Sequence, residues 1–517
     1  MGDAPPRGLP GSGGRSRGPR VRDRRGVAGP GGGYLSRPRP CCGERARALC
    51  GYARAARGKA RGARSIGERA LRRVLLLAYF FPPLGGGGCQ RTLKLVRYLE
   101  PLGWCSSVVT TRNRDYWILD PSLLPEIPAG AEVIRVGGLT ALGVLRLLTH
   151  AGVPVHEPQG SRRPASFRAL RALQRWVFLP DGYRGWADAA RRAADARIRA
   201  GGIDALWTTS SPESAHVAGL SLKRTHGVPW VADFRDPWVG RVTYRPPTPW
   251  HDARNRALER RVVREADRVT LVSEAMVALY RERYREVDPS RFIFLPNGFD
   301  SDDWRRAARA AQEEDRIAGG LREPRRFVLL HAGQLAHRPT VRTLLGAARR
   351  VLERDPGARD DLRIRFIGGN EELSARDRKR YGLGEVLELH PSQPHVEALV
   401  SMRRAGALLL LGHGGAADSL LYTGKIYEYL SSGRPVLGIL DAGPGAALIR
   451  GSNAGAVIPP GDEEGAARTI LEWLRDWRGG ADLSTHLQEE SLSVWERRNM
   501  VSDAAEILSE ILPIRPH

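Results

Sequence analysis

Lys425 and Glu428 stand three residues apart in the run Asp418 to Ile439, which reads DSLLYTGKIYEYLSSGRPVLGI. At that spacing both project from one face of a helix. An apolar strand, Gly406 to Leu411, precedes them and ends in the loop Gly412-His413-Gly414-Gly415. Ser432-Gly433 stops the helix, and Arg434-Pro435 leads into a second apolar strand, Val436 to Leu440. A cation at a helix start, beyond the carboxyl end of a strand, suits phosphate, and the helix N-terminus adds to its field. A carboxylate one turn later suits the paired hydroxyls of a ribose. Together they can hold a nucleoside diphosphate. The plain alternative is an exposed ion pair on a surface helix.

Three further groupings carry chemistry. Pro82 to Arg91 holds four glycines, Gly85 to Gly88, before a helical pattern. Glycines let the backbone approach a ligand, and the following helix offers N–H groups to an anion, with Arg91 adding charge. The spacing is neither G-x-G-x-x-G nor a Walker sequence. Val231-Ala232-Asp233-Phe234-Arg235-Asp236-Pro237-Trp238 places two carboxylates around an arginine directly after an apolar strand. Charges there are costly unless paired or used, so Asp233 or Asp236 can orient a sugar hydroxyl or act as a base. Sequence does not say which one faces ligand. In His331 to Arg338 a strand ends at Gly333, and Arg338 precedes a helix. Arg338 and Lys425 can converge on one diphosphate and offset its charge as it departs. Histidines are scattered without metal-ligand spacing, so no metal and no cofactor are expected.

The elements that must position these groups alternate strand and helix, as parallel α/β domains do. The first half opens with Val74–Phe81, the glycine loop and a helix from Cys89 to Leu102, then reads strands at Ser106–Thr111, Val133–Val136, Ala205–Thr209, Pro229–Phe234, Arg268–Val272 and Phe292–Leu295. The segment 155–167 is polar and reads as a loop. Residues 300–325 have little β-pattern and are expected to be a linker. The second half reads strands at Phe327–Ala332, Ile364–Ile367, Val386–Leu389, Ala407–Leu411, Val436–Leu440 and Ala456–Ile458, and a last helix near Ser502–Leu512. The expected organisation is a basic tail 1–72, a first domain 73–305, a second domain 306–490 and a C-terminal helix within 491–517 that packs back on the first domain. Ligands in such sheets bind beyond the strand carboxyl ends, and two such domains leave a cleft between them.

Charge is uneven. Residues 1–73 carry 19 Lys or Arg against 4 Asp or Glu, so +15 of the chain's +24 lies there. This tail is rich in Gly, Pro, Arg and Ala and lacks a core-forming pattern, which predicts disorder. It can bind anionic lipid headgroups or nucleic acid by plain electrostatics; an upstream start codon in a GC-rich genome is the duller explanation. No apolar h-region follows its arginines. Five cysteines, three of them in the tail, include no C-x-x-C pair, which argues against a disulfide framework or zinc site. No apolar run approaches 18 residues, so a cytoplasmic protein, at most resting on a membrane surface, is expected.

From Val74 to the C-terminus the chain resembles glycosyltransferase family 4, with its GT-B fold. The carrying segments are YFFPPLGGGGCQR (Tyr79–Arg91), PDGYRGW (Pro180–Trp186), SSPESAHV (Ser210–Val217), VADFRDPW (Val231–Trp238), LPNGFD (Leu295–Asp300) and GKIYEYLSSGRPV (Gly424–Val436); those at 180–217 resemble a bacterial branch acting on surface polysaccharide or glycolipid. The resemblance implies two Rossmann-like doubly wound domains facing across a cleft. It also implies a nucleotide-sugar donor (UDP- or GDP-sugar) on the second domain, and metal-independent transfer with retention to a glycan or lipid-linked acceptor. Glu428 matches the second glutamate of the family's E-x7-E motif, which contacts the donor ribose. The first is replaced by Leu420, so the donor-sugar contact must come from Asp418 or the backbone of the 412–421 loop, Ser419 and Leu420 included. Arg338 and Lys425 match the family's basic pair on the diphosphate, beside Gly333 and Gln334. Gly86, Gly87, Gly88 and Arg91, with Asp233 and Asp236, line the acceptor side. The rival readings are another GT-B enzyme, such as a nucleotide-sugar 2-epimerase, and a basic scaffold for membrane or nucleic acid; no specific nucleic-acid module is recognisable in the core.

Overall fold

The computed structural model describes residues 71–513 except 113–117, 139–175, 242–243, 318–325, 334–339, 369–372, 374, 416–417, 419, 421–423, 486 and 488. Residues 1–70 of the expected tail, the 155–167 loop, Arg338, Gln334 and Ser419 lie outside the described residues; the expected tail end at 72 is corrected, because Arg72 already opens the first strand.

Two parallel sheets build the fold. The first contains β1 (Arg72–Leu77), β2 (Trp104–Thr111), β3 (Glu132–Val136), β4 (Ala205–Thr209), β5 (Trp230–Phe234), β6 (Arg268–Leu271) and β7 (Phe292–Phe294), in the order β3-β2-β1-β4-β5-β6-β7. The second contains β8 (Phe327–Ala332), β9 (Leu362–Ile367), β10 (Leu387–His390), β11 (Ala407–Leu411), β12 (Val436–Ile439) and β13 (Gly455–Ile458), in the order β10-β9-β8-β11-β12-β13. Every pairing is parallel; β1 aligns Val74 with Ser106 of β2 and with Ala205 of β4. Central strands of a parallel sheet are covered on both faces. Hence Val74–Leu77 and Ala407–Leu411 read as unbroken apolar runs, and all nine residues are buried. Strand order reverses at β1/β4 and at β8/β11, where ligand crevices open beyond the carboxyl ends.

The first domain's helices include α1 (Gly87–Leu99), α2 (Arg184–Arg199), α3 (Ser214–His226), α4 (Pro249–Glu265) and α5 (Glu274–Arg283). Local chemistry places their starts. Gly86, at φ 88°, precedes α1 in a conformation that side chains avoid. Thr248 caps α4 by accepting from the His251 N–H, with Pro249 at the first helical position. Ser273 caps α5 by accepting from the Met276 N–H at 3.1 Å.

The expected linker at 300–325 contains a helix, α6 (Ser301–Ile317). It is amphipathic, but its apolar stripe is mostly small: Ala307 is buried and Trp304, Ala310 and Ala311 pack beside it, within an otherwise charged segment. Asp302 and Asp303 in its first turn favour that helix end. The second domain's helices include α7 (Thr340–Arg354), α8 (His395–Arg404), α9 (Lys425–Ser431), α10 (Pro444–Gly451) and α11 (Glu463–Arg478). The last helix, α12 (Arg497–Glu510), begins earlier than expected because Arg497 is itself anchored, donating through Nε to the Gly298 carbonyl at 2.8 Å. Met500, Val501, Ala504, Ile507 and Leu508 of α12 share one buried cluster with Val74, Leu76 and Val96 of the first domain. The chain thus crosses to the second domain and returns.

Candidate active site

The residues expected on the donor side gather where the second sheet reverses. Gly333 ends β8 at φ 124°, and a Cβ added there would lie 1.8 Å from Lys425 Nζ. The absent side chain is therefore what lets the ammonium of Lys425 settle over the end of β8. Lys425 opens α9 and is half-buried. Glu428, one turn along the same helix, is 12% exposed at its side chain.

Glu428 Oε1 is flanked by two cationic groups, Arg497 Nη2 at 3.5 Å and His395 Nε2 at 3.7 Å. Among the described residues no donor reaches Oε2. Burial works against a charge on His395, but the Glu428 and Asp303 carboxylates outweigh it and hold its imidazolium above the ordinary histidine range. A raised folded-state pKa means that this contribution to stability is complete below the unfolded histidine value, near pH 6.5, and is lost as pH rises through the folded value. In His395→Gln this fall in stability above about pH 6.5 should be absent, measured as thermal midpoints of both proteins from pH 5 to 9. Parallel curves for the two proteins would show that folding leaves the His395 pKa unshifted.

Behind Glu428 lies an ionic cluster that sequence reading missed. Lys94 Nζ, fully buried in α1, contacts Glu126 Oε2 at 2.7 Å, Asp300 Oδ2 at 2.7 Å and Asp303 Oδ1 at 2.5 Å. Arg306 joins Glu126 and Asp303, and Asp303 Oδ2 lies 3.3 Å from His395 Nε2. Such buried charges add little net stability, but removing any one of them leaves its partner uncompensated. Here they tie α1, α6 and α8 together where the domains meet. Sequence offered little signal: on α1 Lys94 lies about 100° or more around from Leu93, Val96 and Leu99, on the side that carries Gln90, Arg91 and Arg97.

One expected donor contact is corrected. Asp418 does not present its carboxylate to a sugar: Oδ1 accepts from the His413 N–H (2.8 Å), and Oδ2 from those of Gly414 (3.1 Å) and Asp441 (3.2 Å). A tight turn leaves backbone donors that need an acceptor, and this carboxylate supplies it. The Leu420 carbonyl accepts from Ser273 Oγ at 2.6 Å, so the cap of α5 pins the 412–421 loop from the other domain, while the expected contact of Leu420 is through its N–H.

On the first-domain side, Asp233 is corrected from a catalytic to a supporting role, and Arg91 from a ligand-facing one. Arg91 Nε and Nη2 donate to Asp233 Oδ2 (3.0 Å) and Oδ1 (2.7 Å). Its remaining N–H groups reach the carbonyls of Leu295 (3.1 Å) and Pro296 (2.8 Å) and Asn297 Oδ1 (3.1 Å). Thr209 and Thr270 hydroxyls donate to the same carboxylate at 2.9 and 2.7 Å. Burial raises the Asp233 pKa, but Arg91 and the hydroxyls bring it below the usual range. A carboxylate so saturated has no lone pair left for a ligand.

Asp236 is the other carboxylate of the pair. It is partly exposed, and among the described residues no hydrogen-bond donor reaches it. Burial pushes its pKa up, against the pull of Arg235 and Arg241. Arg235 occupies the space over Gly88, where a Cβ would lie 2.1 Å from its Nη1, and it donates to the Ser211 carbonyl at 2.9 Å. Gly87 has nothing within 4 Å of a Cβ position, so the glycine loop is open there. Asp181 Oδ1 accepts from the Ser214 hydroxyl at 2.7 Å; burial and the nearby Glu213 push the Asp181 pKa up to about 6. The structure therefore brings Gly333, Lys425 and Glu428 together on one side and leaves Asp236, Gly86 and Gly87 on the other.

Residues 86–298 match the family described as glycosyl transferase 4-like domain, and residues 326–476 match glycosyl transferases group 1. No curated protein matches the chain. Among solved structures, a sucrose-phosphate synthase from Thermosynechococcus elongatus is 16% identical, with TM-score 0.55, covering 85% of this chain and 99% of its own. A glycosyltransferase from Rickettsia africae is 13% identical, with TM-score 0.56 over 86% of this chain and 100% of its own. The N-terminal domain of a Candida albicans trehalose-6-phosphate phosphatase is 14% identical, with TM-score 0.56 over 86% and 98%. At these identities the likeness is one of fold, and that fold is GT-B.

Proposed function

Because the chain is a glycosyltransferase of the GT-B fold, we propose that it moves a sugar from a nucleotide-sugar donor to an acceptor hydroxyl, with retention and without a metal, in polysaccharide or glycolipid biosynthesis. The observation that carries this reading is Lys425 Nζ seated over Gly333 at the end of β8, with Glu428 one turn away on α9. The ammonium suits the donor diphosphate and the carboxylate suits the ribose. Asp236 accepts from acceptor hydroxyls at the opposite side. In the transfer the bond from the anomeric carbon to the diphosphate oxygen breaks and the acceptor oxygen bonds to that carbon. The acceptor proton passes to the departing diphosphate. Lys425, with Arg338 from the sequence reading, offsets the charge that develops.

The test is a screen of UDP- and GDP-sugars by thermal shift, followed by transfer assays with product configuration read by NMR. A matched donor at 100 times its dissociation constant should stabilise the protein by about 2.7 kcal/mol. An inverted product, or activity lost on adding EDTA, would overturn the corresponding part of the proposal. Isomerisation of free sugar nucleotide without acceptor would instead identify a 2-epimerase.

Glu428→Gln separates binding from chemistry. Ribose does not react, so its contacts are similar in ground and transition states and appear mainly in KM. A hydrogen bond to a charged acceptor contributes roughly 1.5–3 kcal/mol, so donor KM should rise roughly 10- to 150-fold. The variant should also discriminate less against a 2′-deoxyribose donor. Unchanged KM and discrimination would remove Glu428 from the ribose site.

A further inference from the structure

Two tryptophans lie exposed side by side on the first domain. Trp176, Val177 and Trp250 are 56%, 65% and 59% exposed. His251 joins the two indoles: its ring centroid lies 5.7 Å from that of Trp176 and 4.9 Å from that of Trp250. Leaving such surface in water forgoes the burial energy of large aromatic side chains.

The same helix carries a row of positive charge. Arg254, Arg261 and Arg264 follow Trp250 at +4, +11 and +14, which places all four within an arc of about 80° on α4. The Arg254 guanidinium lies 5.7 Å from the Trp250 ring centroid. Among the described residues no carboxylate forms an ion pair with Arg254, Arg261 or Arg264. The acids of α4 are engaged elsewhere: Asp252 by Arg256, Glu259 by Tyr280 and Arg283, Glu265 by Arg224. α4 starts after the loop that leaves the carboxyl end of β5 and carries Asp236, so Trp250 stands at the cleft end of the helix.

We propose that this stripe docks the protein on an anionic lipid bilayer. Trp176, Val177 and Trp250 enter the boundary between headgroups and acyl chains, and the three arginines meet lipid phosphates. The grouping of aromatic and aliphatic surface at one end, with charge running from it, favours a bilayer over a nucleic acid. A phosphate backbone alone gives Val177 nothing to bury against, whereas acyl chains do. No helix among the described residues is long and apolar enough to cross a membrane, so the attachment is peripheral. Resting on the transferase reading, this docking turns the acceptor end of the cleft toward lipid-linked acceptors.

The test uses the full chain, vesicles of phosphatidylcholine with or without about 30 mol % phosphatidylglycerol, and brominated acyl chains as quenchers of tryptophan emission. Residues 1–70 contain no tryptophan, so tethering by the tail alone gives binding without quenching. Wild type should bind the anionic vesicles and be quenched. The triple variant Arg254→Gln, Arg261→Gln, Arg264→Gln should bind about 100-fold more weakly at low salt. The double variant Trp176→Ala, Trp250→Ala should lose most of the quenching, and thermal midpoints like wild type would certify its fold. Binding without quenching, variants indistinguishable from wild type, or equal capture by RNA would each overturn the proposal. Vesicle binding needs no turnover, so a protein that docks but transfers no sugar would refute the transferase reading alone, and an active enzyme that ignores vesicles would refute docking alone.

Discussion

Replacing Lys425 by Ala should lower kcat by roughly 10²–10³, the usual loss of one preorganised electrostatic donor. The ammonium is held in place before any ligand arrives: it sits over Gly333, at the first position of α9. A charge so fixed needs little reorganisation as the diphosphate departs. The donor already bears that diphosphate in the ground state, so KM should also rise, but less than kcat falls, because negative charge on the bridging oxygen grows only as the bond breaks. Lys425→Arg keeps the charge yet must fit a planar fork against Gly333, and should recover only part of the rate. Steady-state kinetics with the matched donor decide the matter. Wild-type turnover in the Ala variant would remove Lys425 from the chemistry, and a change confined to KM would make it a binding group only.

A large stability effect is expected of Arg91→Ala. Arg91 and Asp233 form an ion pair with side chains 4% and 2% exposed. Removing the cation leaves Asp233 buried with only the Thr209 and Thr270 hydroxyls as partners, and frees the carbonyls of Leu295 and Pro296. Breaking such a pair by deleting one partner costs about 3–5 kcal/mol. Equilibrium denaturation in urea, followed by tryptophan fluorescence, measures it. The double variant Arg91→Met, Asp233→Leu removes both charges and should regain part of the loss, since an uncompensated charge no longer remains. An Arg91→Ala protein as stable as wild type would mean that the pair is hydrated and that Asp233 has capacity for a ligand after all.

The second half of the chain was the more legible. Its six strands are each found within about two residues of their sequence positions: β8, β11, β12 and β13 are largely apolar runs, and β9 and β10 alternate apolar with charged residues. Gly333, Lys425 and Glu428 were legible for a related reason. A glycine at a strand end, and a cation and a carboxylate at helical spacing on the next helix, can be placed from local rules alone. α6 was missed although it is amphipathic, because its apolar stripe is mostly alanine (Ala307, Ala310 and Ala311 beside Trp304) within an otherwise charged segment. Lys94 was not visible either: it stands with Gln90, Arg91 and Arg97 on the polar side of α1, and only packing against other elements buries it.

By itself, then, the sequence determined the alternation of strand and helix, the two doubly wound domains, the glycines that open the strand ends and the residue types of the donor side. These follow from contacts between residues near in the chain, where periodicity and turn chemistry suffice. Only the tertiary structure decided which charges are used and which are consumed. Asp233 and Asp236 are alike in sequence, yet the first is saturated by Arg91, 142 residues away, while no described donor reaches the second. Asp418 looks available until the N–H groups of His413, Gly414 and Asp441 claim it. His395 and Arg497 reach Glu428 only because α8 and the returning α12 converge on α9. A carboxylate's role depends on the donors around it, and those donors are set by long-range packing that no local pattern records.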